Sequence, residues 1–236
     1  MWRLLSRQDL RAPLLALACA SALGVALIAL RTVLTWRGQH LYLVWNLFLA
    51  WIPLLLALRV EELERRGHTR NWRFWCTVLA WLVFFPNAPY IFTDLTHLKL
   101  ATRLRWWTDL ILILLFAVTG LVLAFLSLHR MQSVVARRRG WCAGWLFVFA
   151  VAFLSGFGVY LGRFERWNSW DVIINPIGLA ADSLNWVHSL SAKFTLLFGL
   201  FLFTAYALLY SLTRLGPAPR LPVLGPVKSV PQAVES

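Results

Sequence analysis

The chain alternates between long apolar runs and short polar connections. The runs lie at about 13–34, 41–58, 73–92, 108–128, 141–162 and 194–213. Each is near the roughly 20 residues that a helix needs to cross a ~30 Å hydrocarbon core. Lipid offers no partner to an unpaired backbone group, so each run is expected as an α-helix. The pattern therefore predicts an all-α, polytopic membrane protein with about six transmembrane helices in one domain, 1–214, and no room for a separate soluble catalytic domain. In the longest connection Asn175-Pro176 is a helix start, with Asn as cap and Pro at the first helical position. Ile177, Ala180, Ala181, Leu184 and Val187 follow on one face, predicting a short amphipathic helix on the outer surface. Residues 215–236 contain Pro217, Pro219, Pro222, Pro226 and Pro231 and little that packs; they are expected to form a disordered cytoplasmic tail.

Composition agrees with this reading. Hydrophobic residues make up 60% of the 236 positions and charged residues 14%, outside the range of soluble domains. The net charge of +13 raises the question of nucleic acid. The arginines flank apolar runs instead of forming a soluble basic module, so the bilayer and its headgroups are the expected partner and nucleic acid is not. With the N-terminus inside, 15 of the 23 Lys and Arg fall on the cytoplasmic side, which places both termini there. Trp36, Trp106, Trp107, Trp167, Trp170 and Trp186 mark the outer boundaries; Trp72, Trp75, Trp141 and Trp145 mark the inner ones. They form the belt expected of amphipathic rings at headgroup level. Trp51 and Trp81 lie within spans and are expected to pack.

Cys19, Cys76 and Cys142 all fall inside spans, which suggests no disulfide framework. Leu15-Ala16-Leu17-Ala18-Cys19 is a faint lipoprotein box, but the apolar run continues to Leu30, so a retained helix is expected. Glu61, Glu62 and Glu64 precede Arg65, Arg66 and Arg70 at helical spacings, as in a solvated helix extension with intrahelical ion pairs. Apart from that cluster, Asp9 and Glu235, every carboxylate (Asp94, Asp109, Glu165, Asp171, Asp182) falls on the outer side.

Two polar strings interrupt the apolar pattern. The first is Phe84-Phe85-Pro86-Asn87-Ala88-Pro89-Tyr90-Ile91-Phe92-Thr93-Asp94-Leu95-Thr96-His97-Leu98. Pro86 and Pro89 lack the N–H groups that would bond the carbonyls of Leu82 and Phe85, so the third helix must break or kink. Asp94 and His97, three apart, would share one helical face, where they are candidates for acid, base or metal-ligand roles. The competing structural role has Asp94 cap the next segment and His97 sit at the interface. Thr93, Thr96 and Asn87 add polar capacity.

The second string is Tyr160-Leu161-Gly162-Arg163-Phe164-Glu165-Arg166-Trp167-Asn168-Ser169-Trp170-Asp171. Arg163 or Arg166 can clamp a carboxylate or phosphate, with Asn168 beside them. An Arg–Asp clasp fixing the loop to the bundle competes with that reading. Asp182, His188, Asn46 and Arg31 are expected near the same region. Ser155-Gly156-Phe157-Gly158 resembles a serine-nucleophile site only superficially, since the sixth span has no histidine to activate it; small residues at a helix contact explain it better. No phosphate-binding glycine loop, H-E-x-x-H or paired Cys-x-x-Cys occurs. No internal repeat is evident either, which weakens an inverted-repeat transporter.

At these strings the sequence resembles a bacterial family of multi-pass membrane proteins catalogued as domain of unknown function 1361. The resemblance rests on Phe85-Pro86-Asn87-Ala88-Pro89-Tyr90-Ile91, Thr93-Asp94-Leu95 and His97-Leu98, with Arg163-Phe164 and Arg166-Trp167-Asn168-Ser169-Trp170-Asp171. It covers about 40–212. It implies a bacterial inner-membrane location and implies no reaction, substrate or cofactor. Three readings follow. In an enzyme acting on an envelope or lipid substrate at the outer face, Asp94, His97 and Asp171 would be catalytic and Asn87, Arg163, Arg166 and Asn168 would bind substrate; Asp94 and His97 would be the metal candidates, with metal and cofactor identity unknown. A transporter would use the broken third helix. An assembly partner of envelope proteins would use the network only as a brace, and oligomeric state is left open.

Overall fold

In the computed structural model, the described residues are 8–36, 38, 40–98, 103–179 and 189–213. They are helical throughout their regular parts, with no strand among them. The long helices are α1 (Gln8–Thr35), α2 (Leu41–Arg65), α3 (Trp72–Phe84), α5 (Arg103–Arg139), α6 (Trp141–Arg163) and α8 (Ser189–Thr213). Two short helices, α4 (Asn87–Tyr90) and α7 (Asp171–Ile174), accompany them, and α4 runs into a 3₁₀ segment, Ile91–His97. Taking α3, α4 and this segment as one path, six spans are long and apolar enough to cross a membrane: Leu10–Thr35, Leu41–Arg65, Trp72–Thr96, Trp106–Arg139, Trp141–Arg163 and Ser191–Thr213. The chain is an all-α, multi-pass membrane protein.

Chain direction reverses at short connections. Gly67, at φ +75°, ends the turn after α2, and Asn71 caps α3 by accepting the Arg73 N–H at 3.1 Å. Helix α5 is the central element; it packs against α1, α2, α6, α4 and the 3₁₀ segment, while α6 pairs most extensively with α8. The core accordingly centres on α2 and α5, with Leu43, Leu54, Ile113 and Leu123 sealed inside. Leu23, Leu79, Leu146 and Leu197 point outward, as a lipid-facing surface requires. Both mid-span indoles pack: Trp81 is fully buried and donates to Ser127 Oγ at 2.8 Å, and Trp51 donates to Ser21 Oγ at 3.1 Å. Helix α1 runs unbroken through Cys19, and all three cysteines are free thiols.

Helices α2 and α5 run well beyond the expected 58 and 128. Charge holds the extensions together. Glu61 pairs with Arg65 and Glu62 with Arg66, as the spacing implies, but the extension is not simply solvated. Glu61 is 2% exposed and also faces Arg130 of α5 at 3.8 Å, while Glu64 receives Arg137 at 2.7 Å. The carboxylates therefore join two helices, which helical spacing within one of them does not reveal. Residues 176–179 begin the helix expected after Asn175; its continuation through Val187 and the 215–236 tail lie outside the described residues.

Candidate functional site

The site is built on the broken third span. With no N–H on Pro86, α3 stops at Phe84, and the chain turns through Phe85 and Pro86 into the single turn of α4. Local bonds repair part of the ladder: Ala88 N–H donates to the Phe85 carbonyl at 3.1 Å and Tyr90 N–H to that of Pro86 at 3.0 Å. Side chains repair more. Asn87 Nδ2 donates to the Phe84 carbonyl at 2.9 Å, and Ser169 Oγ, from the distant loop, donates to that of Val83 at 3.0 Å. Two glycines let neighbouring helices approach this bulk. A Cβ on Gly120 would stand 2.7 Å from the Ala88 carbonyl oxygen, and one on Gly158 would stand 2.6 Å from Pro86 Cγ.

Downstream, the 3₁₀ segment carries Asp94 into the bundle, where it is 1% exposed. A buried carboxylate persists only with compensation. Asn46 Nδ2 of α2 donates to Oδ2 at 2.9 Å, and Arg163 Nη2 at the end of α6 lies 3.1 Å from Oδ1. Arg163 is itself saturated with partners. It donates to the Thr93 carbonyl, to Thr96 Oγ1 at 3.0 Å and to the Tyr90 hydroxyl at 3.3 Å, and its guanidinium stands 5.2 Å from the Tyr90 ring centroid. Tyr42 lies within electrostatic range of both Asp94 and Arg163. Beside it His40, just ahead of α2, stacks on the Tyr42 ring; burial first, and Arg31 second, hold its imidazole below the ordinary histidine range.

Against this frame lies a cavity of about 330 Å³. Its walls come from α2, the α3–α4 break, α6 and the loop after α6. Polar lining is supplied by Asn46, Asn87, Tyr90, Asn168 and Ser169; the remainder is apolar or aromatic, including Trp45, Phe157 and Trp167. A mostly apolar concavity with a few convergent polar groups is the usual form of a small-molecule site.

The structure brings some of the expected residues together and separates others. Asn87 joins the two strings, since its Nδ2 also donates to Ser169 Oγ at 2.7 Å. Arg163 and Asn46 meet Asp94, so the Arg–Asp clasp between loop and bundle exists. Asn168 lines the cavity and is exposed. Asp171 is engaged locally: its Oδ2 accepts the Asn168 N–H at 2.7 Å and holds the turn into α7. Arg166 is exposed, at φ +60°, and is not part of the cavity lining. Arg31 pairs with Asp109 and lies within electrostatic range of His40. His97 ends the 3₁₀ segment, but its side chain, with Asp182 and His188, lies outside the described residues. Among the described residues no group of three or more His, Cys, Asp or Glu is placed to hold a metal. The roles of Tyr90 and Ser169 escaped sequence reasoning, although both lie in the quoted strings; a serine among tryptophans gives no sign that it will satisfy a carbonyl on another helix.

Neither a curated protein nor a solved structure matches this chain. One family model does, over residues 45–205, a stretch holding both polar strings, the Asp94–Arg163 pair and the cavity lining. The chain belongs to the family described as Protein of unknown function (DUF1361).

Proposed function

We propose that this chain is a multi-pass protein of the bacterial inner membrane, with both termini in the cytoplasm, whose polar site opens to the extracytoplasmic face and binds an envelope or lipid substrate. The observation that carries this reading is the ~330 Å³ cavity set directly against the buried Asp94–Arg163 pair. The excess of Lys and Arg at the opposite end supports the orientation. Asn87 and Asn168 are the substrate contacts; Arg163 positions Tyr90 and the 3₁₀ segment behind them. Binding is better supported than acid–base catalysis, because Asp94 and Asp171 are already engaged by Arg163, Asn46 and Asn168.

A transporter draws support from one observation, that the broken helix itself lines the cavity. Below the break, however, buried Trp81, Leu128 and Val148 fill the bundle interior. The test uses a chain lacking Cys19, Cys76 and Cys142, with a single cysteine at Asn168 or at Arg137. A membrane-impermeant maleimide should label position 168 in intact cells and position 137 only after permeabilisation. Total envelope lipid should slow labelling at 168 in the purified protein. Labelling of 168 only from the inside, or labelling indifferent to lipid, would overturn the proposal.

A further inference from the structure

The hydrogen-bonding capacity left unused in the cavity is mixed, with both acceptors and donors. Asn46 spends Nδ2 on Asp94, Asn87 spends it on the Phe84 carbonyl and Ser169, and Asn168 turns it toward Asp171 at 3.4 Å. These orientations are chemically forced, because an amide oxygen turned toward a carboxylate or carbonyl would be repelled. What remains are one further Nδ2 hydrogen each on Asn46 and Asn168, and three Oδ1 atoms, of Asn46, Asn87 and Asn168, which accept no hydrogen bond from the described residues and are not sealed from the cavity. Each of these oxygens is an acceptor waiting for a donor. The Tyr90 hydroxyl, which accepts from Arg163, keeps its own proton to give.

Charge and access narrow the ligand further. None of the described residues lining the cavity is ionisable as an acid or a base near neutrality. A phosphate or carboxylate, which accepts but cannot donate, could take the amide and Tyr90 protons but would leave the three oxygens unpaired. An ammonium could donate to them, but it would stand near the Arg163 guanidinium over Tyr90 and could not accept the Tyr90 proton. Hydroxyl groups both donate and accept. The rim includes Trp45 of α2 and Leu154 of α6, 53% and 49% exposed, on helices whose outer faces meet lipid. The cavity therefore opens sideways to the bilayer, as an acyl-chain ligand would require.

We infer that the cavity takes a lipid with an uncharged, hydroxyl-bearing headgroup, its hydroxyls donating to the Asn46, Asn87 and Asn168 amide oxygens and its chain leaving past Trp45 and Leu154. This deepens the reading above and rests on it. The test uses the full chain in phosphatidylcholine nanodiscs, titrated with three probes sharing dioleoyl chains: glucosyl-diacylglycerol, phosphatidylethanolamine and phosphatidylglycerol. The glucosyl lipid should bind about 25-fold more tightly than either phospholipid, the difference made by roughly two net hydrogen bonds. Asn168→Ala, which keeps the backbone bond to Asp171, should weaken it about fivefold, one bond's worth. Leu154→Trp, on an exposed face, should obstruct the rim and weaken it without changing the melting temperature of the lipid-free protein. Preference for phosphatidylglycerol, whose headgroup carries hydroxyls beside a phosphate, overturns the requirement for an uncharged headgroup, and preference for phosphatidylethanolamine overturns the choice of hydroxyl over ammonium; with Leu154→Trp still blocking, either leaves lipid binding in this cavity standing. Binding unaffected by Leu154→Trp, or no saturable binding by any probe, overturns the cavity reading as well.

Discussion

Asn87 Nδ2 lies 2.7 Å from Ser169 Oγ, and Ser169 passes its own proton to the Val83 carbonyl at 3.0 Å. One amide and one hydroxyl, far apart in sequence, thus share the repair of a helix that two prolines break. The loop after α6 does not merely cover the break; it completes its hydrogen bonding. In hydrocarbon that matters more than in water, since no solvent stands ready to replace a lost partner.

Removing either member should therefore leave a backbone carbonyl or a side chain unpaired. Asn87→Ala and Ser169→Ala should each destabilise the detergent-solubilised protein by about 1–3 kcal/mol. The double variant should cost less than the sum, with a coupling of about 0.5–1.5 kcal/mol. Melting temperatures of the four proteins give the cycle; strict additivity would show that the two side chains act separately.

The Asp94–Arg163 pair invites a charge-balance test. Asp94→Asn or Arg163→Gln alone leaves one desolvated charge, which costs about 3–5 kcal/mol where a pair is fully buried. Asp94 is fully buried, whereas the Arg163 side chain keeps 14% of its exposure, so Arg163→Gln should be the more damaging substitution. The combined Asp94→Asn, Arg163→Gln protein, with no charge to strand, should recover a substantial part of the loss. A double variant less stable than either single one would show that the pair is not the unit that matters.

The legible parts of this architecture were those written in contiguous sequence. Apolar runs announce spanning helices because a ~30 Å core demands length, and Pro86 and Pro89 announce the break because a missing N–H is a local fact. The partner of Asp94 was only half visible. An Arg–Asp clasp and a reach by Asn46 follow from residue types and topology, but Arg31 satisfies the same criteria, and its pairing with Asp109 does not follow from them. Which cation meets which carboxylate depends on helix rotation and depth, and an apolar run does not encode these. The cavity was invisible for a related reason. Its walls are Trp45, Phe157 and Gly158, residues that look like ordinary packing until three helices and a loop fail to close around them.

At the other end of the bundle, Glu61 and Glu62 offer a controlled contrast. Both form i,i+4 pairs with arginine at the end of α2, Arg65 within it and Arg66 as its cap. Glu61 is buried and also faces Arg130, whereas the Arg66 partner of Glu62 is 53% exposed. Glu61→Ala should cost about 3 kcal/mol or more and Glu62→Ala less than 1 kcal/mol. Equal effects in thermal unfolding would return Glu61 to the solvated surface.

Gly120 and Gly158 test how tightly the break is held. A glycine in a helix interior is usually improved by alanine, by roughly 0.5–1 kcal/mol. Here the added Cβ would meet the Ala88 carbonyl oxygen at 2.7 Å or Pro86 Cγ at 2.6 Å, and neither belongs to a flexible side chain. Overpacking of this kind costs about 1–3 kcal/mol, so both substitutions should lower the melting temperature. An unchanged or raised value would mean that the broken span can move away from α5 and α6.

His40 supplies the pH dependence. Its folded-state pKa lies below the model-peptide value of 6.5, burial being the larger cause and Arg31 the smaller. The unfolded chain therefore binds a proton that the folded chain resists, so stability rises with pH across that interval. The contribution of His40 is complete above about pH 6.5 and is lost as the pH falls below it. His40→Phe keeps a ring to stack on Tyr42 and removes the titration. Between pH 7.5 and 5 the melting temperature of the native protein should fall more steeply than that of the variant, and the difference between the two curves cancels every other titrating group. Parallel curves would mean that His40 is as easily protonated in the folded protein as in the unfolded chain; a native curve that rises toward pH 5 relative to the variant would reverse the sign of its coupling to the fold.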